Sequence, residues 1–213
     1  MAAVLLGWFP GQEAGAALAD VLLGAEEPGG RLPTTWPARL ADAPVTRVTP
    51  ENGRLPYEEG VFIGYRAWQR AGAVPAYCFG HGLGYTDWEY ESATYAPAAD
   101  GHGDADGAGA ELGTVTVRVR NTGDRPGREV VQVYLAVPDG DTVERPVRRL
   151  AGFATVTAAP GETAEARVAL DRRAAQIWDE DTYGWRLVPG TYTAETGRSL
   201  DDIRLRNRVP VTG

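Results

Sequence analysis

Beyond residue 113 apolar and polar positions alternate with a period of two: Val115, Val117 and Val119 interleave with Thr and Arg, and Val131, Val133 and Leu135 with polar residues or Tyr134. Successive side chains of a strand point to opposite faces, so this alternation predicts antiparallel strands with one face buried and the other solvated. Further strand candidates fall at 149–156, 164–170, 184–188, 190–196 and 203–211. They are separated by Asn121-Thr122-Gly123-Asp124, Pro138-Asp139-Gly140-Asp141, Pro160-Gly161-Glu162 and Pro189-Gly190, whose residue types favour turns. About seven short strands with such punctuation in roughly 100 residues predict an immunoglobulin-like β-sandwich.

The N-terminal half has a different pattern. Residues 2–9 form a continuous apolar run, which predicts a strand buried on both faces of a parallel sheet. Pro10-Gly11 breaks the run. From Gln12 to Leu23 the apolar residues Ala16, Ala17, Ala19, Leu22 and Leu23 predict a short helix, ended by Gly24 and Pro28-Gly29-Gly30. One strand and one helix cannot close an α/β layer, so residues 1–40 read as the end of a larger α/β domain. Residues 41–95 continue a Pro-, Gly- and aromatic-rich stretch without sustained periodicity, which predicts an ordered, irregular connector. Residues 96–113 are Gly-rich and poorly hydrophobic, as a flexible spacer would be. The sandwich then occupies 114–213, and the expected fold class is mainly β.

Composition narrows the function. The net charge of −8 and a pI near 4.9 argue against nucleic acid, whose phosphates need clustered cations. No apolar run is long enough to span a bilayer, and the apolar start lacks a basic leader region, so a cytoplasmic location is expected for the chain as it stands. Cys78 is the single cysteine, which excludes an internal disulfide and fits a small buried hydrophobe. The spacer sequence Asp-Gly-His-Gly-Asp-Ala-Asp-Gly, which includes His102, does not meet the ligand spacing of a calcium loop. Phosphate-cradling Gly loops, Cys/His metal spacings and nucleophile elbows are lacking, so neither a metal nor a cofactor is expected.

Four stretches together resemble glycoside hydrolase family 3. Gly7-Trp8-Phe9-Pro10-Gly11-Gln12-Glu13-Ala14-Gly15, with Ala19-Asp20-Val21-Leu22 and Gly29-Gly30-Arg31-Leu32-Pro33-Thr34-Thr35-Trp36-Pro37, resembles the end of that family's α/β sandwich domain. Tyr57-Glu58-Glu59-Gly60-Val61-Phe62-Ile63-Gly64-Tyr65-Arg66 and Phe79-Gly80-His81-Gly82-Leu83-Gly84-Tyr85-Thr86 are similar to the connector that follows it. The stretch from Val117 through Asn121-Thr122-Gly123-Asp124 to Gly127-Arg128-Glu129-Val130-Val131-Gln132-Val133-Tyr134 resembles its fibronectin type III-like domain. Departures are local: Gly84 stands where the family usually has Ser, and Ala76-Tyr77-Cys78-Phe79 where it tends to have Leu-Phe-Pro-Phe.

The resemblance implies a retaining β-glucosidase, which needs a nucleophilic and a proton-donating carboxyl group about 5 Å apart. In the resembled family the nucleophilic Asp comes from an N-terminal barrel and the acid/base from upstream in the α/β domain. Both are expected before Met1, and no catalytic residue is expected here. The implied partners are the missing N-terminal barrel and α/β domain, in cis or in trans, with a β-glucoside as ligand. Thr86-Asp87-Trp88 mimics the setting of the nucleophile, but its frame matches the connector, so Asp87 is read as a surface residue.

Six residues stand as substrate-proximal or interdomain candidates: Trp8, Phe9, Gln12, Glu13, Glu59 and Arg66. Trp8 and Phe9 either line a sugar-facing wall or pack in a core. Glu13, at a helix start, either satisfies backbone N–H groups or serves the sugar site. Glu58, Glu59 and Arg66 suit an ion pair that anchors the connector against a neighbouring domain. His81, between Gly80 and Gly82, is read as a point of close backbone approach rather than as a catalyst. Two other functions stay open: a stand-alone carbohydrate- or protein-binding sandwich, and an autonomous glycosidase using Glu13 or a carboxylate of 58–59. Residues 1–40 are expected to expose apolar surface.

Overall fold

Val115, Val117 and Val119 are fully buried, while Thr114, Thr116 and Arg118 between them are not, as the alternation predicts. They belong to strand β2 (Glu111–Asn121) in a computed structural model that describes residues 3–44, 48–98 and 110–212. Among the described residues β2 is the centre of a three-stranded sheet, flanked by β1 (Trp88–Pro97) and β5 (Thr163–Asp171). The facing sheet has the order β4 (Arg148–Ala158), β3 (Gly127–Ala136), β8 (Gly190–Ser199) and β9 (Asp202–Val211). All pairings are antiparallel. The inward residues of both sheets, including Val117, Val131, Val133, Val168, Leu170, Tyr192 and Val209, form one core.

Three features depart from the sequence pattern. Strand β1 lies in the stretch read as connector, because its hydrophobic alternation is carried by Trp88 and Tyr90 and then fades toward a solvent-exposed edge. The candidate strand 184–188 does form, as β7 (Gly184–Leu187), but it pairs with β6 (Gln176–Asp179) in a separate hairpin outside the two sandwich sheets. Burial along β3 becomes continuous from Val131 to Leu135, since Gln132 and Tyr134 point away from the core and are covered by the connector.

The strand expected at 2–9 is absent over the described residues 3–9, and Val4, Leu5, Leu6 and Phe9 are exposed, Phe9 almost wholly (99%). A central parallel strand takes its hydrogen bonds and its burial from neighbours, and no strand among the described residues pairs with this run. Helix α1 (Ala14–Leu23) forms as predicted and ends on Gly24, whose left-handed φ of 77° lets its N–H reach back to Val21. None of its residues is buried, and Leu22 and Leu23 face solvent. A second helix, α2 (Tyr65–Ala71), interrupts the connector and buries Tyr65 and Trp68. The Asp-rich part of the spacer, with His102, lies outside the described residues.

Candidate functional site

The connector lies flat on the sandwich because its glycines allow contact at backbone distance. Residues 30–36 and 76–82 run against each other, with Leu32 donating to the His81 carbonyl, Gly80 to the Leu32 carbonyl and Trp36 to the Tyr77 carbonyl, each at 2.8 Å. A Cβ on Gly82 would stand 2.3 Å from the Gly30 carbonyl oxygen, and one on Gly80 would stand 2.1 Å from Gln132 Oε1. Gly80 also has φ of 80°, so only glycine fits there without strain. Gln132 Nε2 donates to the Gly80 carbonyl at 3.0 Å, and Tyr134 Oη donates to Gln132 Oε1 at 2.6 Å. His81 thus marks a close backbone approach, as its flanking glycines predict.

Two carboxylates hold the N-terminal segment to this surface. Glu27, just past α1, accepts from the N–H of Tyr85 at 2.9 Å and, through its other oxygen, from the N–H of Arg128 on β3. Tyr85 Oη donates to the Val21 carbonyl at 2.8 Å and Arg125 Nη2 to the Gly24 carbonyl at 2.6 Å. Glu129, fully buried on β3, receives Arg31 Nη2 on Oε1 at 3.2 Å. Arg198 Nε stands 3.2 Å from Oε2 at an angle that makes an ion pair but not a hydrogen bond. Tyr90 Oη donates to Oε1 at 3.3 Å, and burial, reinforced by the Glu129 charge, pushes this phenol far above its ordinary pKa. Sequence reasoning singled out neither Glu27 nor Glu129. Both look like ordinary strand or loop acids, and their hydrogen-bond partners lie 39 to 101 residues away.

The six candidates are not drawn into one constellation. Trp8 has a left-handed φ of 47° and is 55% exposed, and Phe9 projects into solvent, so neither packs in a core. Glu13 takes the N-cap position of α1, yet its side chain caps nothing; only its carbonyl is used, by the N–H of Ala17 at 3.0 Å. The capping role expected of its carboxylate is therefore absent, since the residue turns outward with Gln12. Glu59 uses its carbonyl to hold the Phe62 N–H at 2.9 Å. Arg66, half-buried in α2, pairs with neither Glu58 nor Glu59; its guanidinium carbon sits 5.6 Å from the Tyr65 ring centroid. Tyr65, the residue before it, seats α2 on the sandwich, its Oη accepting from the Leu150 N–H at 3.0 Å.

Two cavities, of about 80 and 450 Å³, lie along the connector, and neither is lined by Glu13, Glu58 or Glu59. No group of three His, Cys, Asp or Glu suited to a metal occurs among the described residues. No described helix is long and apolar enough to cross a membrane. Four aromatics of the sandwich that the sequence leaves scattered separate into two kinds. Tyr134 and Tyr192 are wholly buried, whereas Trp178 and Trp185 face each other across the β6–β7 hairpin, 5.5 Å apart with ring planes at 74°. Arg173 covers one face of Trp185 at 4.0 Å, so the pair makes a corner and not a flat platform.

Comparison with known proteins now fits this geometry. The glycosyl hydrolase family 3 C-terminal domain matches residues 1–85, and the fibronectin type III-like domain matches 129–200. The chain is 41% identical over 207 residues to a β-glucosidase of Rhizobium radiobacter, covering 95% of this chain and 24% of that protein. It is 37% identical over 204 residues to the probable β-glucosidase K of Emericella nidulans, covering 94% and 22%. The family 3 β-glucosidase structure of Bifidobacterium adolescentis superposes with a TM-score of 0.85 at 37% identity, over 97% of this chain and 29% of that one. The chain spans about a quarter of the length of the curated relatives it matches. The two matched domains, joined here by Glu27 and Glu129, make this chain a member of glycoside hydrolase family 3, corresponding to its C-terminal portion.

Proposed function

We propose that the chain is the structural C-terminal part of a retaining β-glucosidase, whose barrel and remaining α/β domain supply the nucleophile and the acid/base in cis or in trans. The observation that carries this reading is the contrast between two surfaces. The sandwich buries its inward apolar residues in one core, while Val4, Leu5, Phe9, Leu22 and Leu23 of the adjoining segment stand exposed. Burying a large aliphatic or aromatic side chain is worth about 1.5–3 kcal/mol, so such a run has its natural place against further strands and helices. Glu27 and Arg31 then act as the clasp that sets this segment at a fixed position on the sandwich. The relatives named as β-glucosidases supply the substrate class: a terminal β-D-glucosyl residue.

The test is complementation. The chain is co-expressed with the portion of the Rhizobium radiobacter enzyme that precedes the matched region, and hydrolysis of an aryl β-glucoside is measured. Recovery of a stable complex with activity supports the proposal. Failure of the two parts to associate, with both folded, contradicts it.

A further inference from the structure

The larger cavity of the connector, about 450 Å³, lies between residues 33–44 and the start of helix α2. Pro33, Pro37, Ala43, Pro44, Ile63 and Phe79 supply most of its wall, and its volume falls in the range of preformed binding pockets. The frame is stiff before anything docks. Proline has its φ fixed at about −65° and loses no side-chain freedom on contact. Tyr65, buried at the start of α2, stacks on Phe79 with ring centroids 4.8 Å apart, and Phe79 is in T-shaped contact with the fully buried Tyr134 at 6.4 Å.

Four polar atoms of the lining residues are already engaged or sealed. Thr34 Oγ1 accepts from Trp36 Nε1 at 3.0 Å, and Tyr65 Oη from the Leu150 N–H at 3.0 Å. Thr35 Oγ1 and Arg66 Nε have no accessible surface, so an occupant of the cavity does not reach them. A polar or charged occupant would give up its hydration with few partners to replace it, whereas an apolar one gains by leaving water. The chain beside these walls has the same character. Leu40, between Pro37 and Ala43, is 83% exposed, and Ile63 and Val61 are each 52% exposed.

We propose that this cavity is the seat of an aliphatic or aromatic side chain carried by the upstream part of the longer enzyme. The inference rests on the reading of the chain as part of a larger glucosidase. The occupant follows from length: the chain spans about a quarter of its relatives, and a piece of that size leaves bare the surfaces that the remainder covers. The wall formed by residues 33–44 follows in the chain the exposed run from Val4 to Leu23, and Arg31 ties its beginning to Glu129 on the sandwich. The seat is thereby held at a fixed place beside the segment that the same partner is to cover. One large side chain entering a rigid apolar pocket is the kind of anchor that dominates protein interfaces. A second copy of the chain, offering its wholly exposed Phe9, is the alternative that the test separates.

Two measurements test it. Isoleucine occurs only at 63, 177 and 203, so δ1-methyl labelling gives three resonances, assigned by substitution to Val. In the chain alone, toluene is added, with glycerol as the polar control. A saturable shift of the Ile63 methyl with toluene only is expected, while Ile177 on the β6–β7 hairpin stays fixed; no saturable shift of Ile63, or an equal shift of Ile177, overturns the apolar seat. In the complex co-expressed with the upstream part, Ile63→Gln should weaken association about ten-fold or more, and Ile63→Leu should restore most of it. Unchanged association of an Ile63→Gln chain that keeps its thermal midpoint overturns the assignment of the occupant. So does self-association of the chain alone that both Ile63→Gln and Phe9→Ala abolish, since it gives the seat to a second copy. If the unmodified chain forms no complex, the reading of the whole chain fails and the occupant with it, while the toluene titration decides the apolar seat by itself.

Discussion

Glu129 Oε1 accepts a hydrogen bond from Arg31 Nη2 at 3.2 Å, joining strand β3 to a loop 98 residues earlier, with the Glu129 side chain fully buried and that of Arg31 only 8% exposed. Arg198 stands on the other carboxylate oxygen. A buried carboxylate is tolerated only when its charge is matched, and two guanidiniums are left unmatched if it is removed. Glu129→Gln, close in shape but neutral, should lower the unfolding free energy by about 3 kcal/mol. Urea unfolding followed by tryptophan fluorescence measures this. A loss below about 1 kcal/mol would mean that the cluster contributes little.

Glu27 has a more local task. Its carboxylate holds the N–H groups of Tyr85 and Arg128 while α1 itself buries nothing. Glu27→Ala should therefore release the first thirty or so residues without unfolding the sandwich, in keeping with sub-global opening. Limited proteolysis should cut the variant at α1 markedly faster, with the thermal midpoint of the sandwich nearly unchanged.

Gly80→Ala tests the fit of the connector. The added Cβ would meet Gln132 Oε1 at 2.1 Å and Tyr134 Oη at 2.9 Å, both buried, at a φ of 80° that alanine disfavours. Overpacking and left-handed strain together predict a loss of about 2–4 kcal/mol. At Gly53, which also has positive φ but open space around it, alanine carries only the backbone cost, about 1 kcal/mol. The difference between the two variants in thermal unfolding reports the steric part.

Acid should weaken the fold through Asp202. The hydrogen bond from Arg204 is the main reason that its carboxyl lies below the ordinary aspartate range. The folded state thus binds this proton less readily than the unfolded chain. The resulting stability is complete above the ordinary aspartate pKa and is lost as pH falls through the depressed folded value. Asp202→Asn removes this component, so its urea midpoint should decline less steeply than that of the unmodified chain below about pH 4. Parallel declines would show that Asp202 does not contribute.

The sandwich was legible because strand burial is periodic: the valines of β2 and β3 announce their faces without knowledge of the partner strand. Helix α1 was legible from its spacing and from Gly24. The run at 2–9 misled because its hydrophobicity specifies burial, whereas no described segment offers the hydrogen-bonded neighbours that would make it a strand. The clasp was hidden for a related reason. Glu27, Arg31 and Glu129 acquire meaning only when distant segments meet, and a lone acid in a strand carries no mark of its partner. Arg66 lay between these cases: its place in an aromatic-rich connector marked it as an interdomain residue, but the sequence does not show that its nearest ring is that of Tyr65. The pairing of Trp178 with Trp185 follows from hairpin register, which a spacing of seven residues does not set alone. Because that pair forms a corner covered by Arg173, affinity electrophoresis on laminarin, cellulose and xylan should show no retardation of the chain.

We propose that this chain braces a glucosidase and does not hydrolyse a glycoside alone. The most direct test is release of aryl alcohol from an aryl β-glucoside by the purified chain, with and without the upstream part of the Rhizobium radiobacter relative. No turnover by the chain alone, and turnover in the complex, is the expected result. Hydrolysis by the chain alone, abolished by Glu13→Gln, would contradict it.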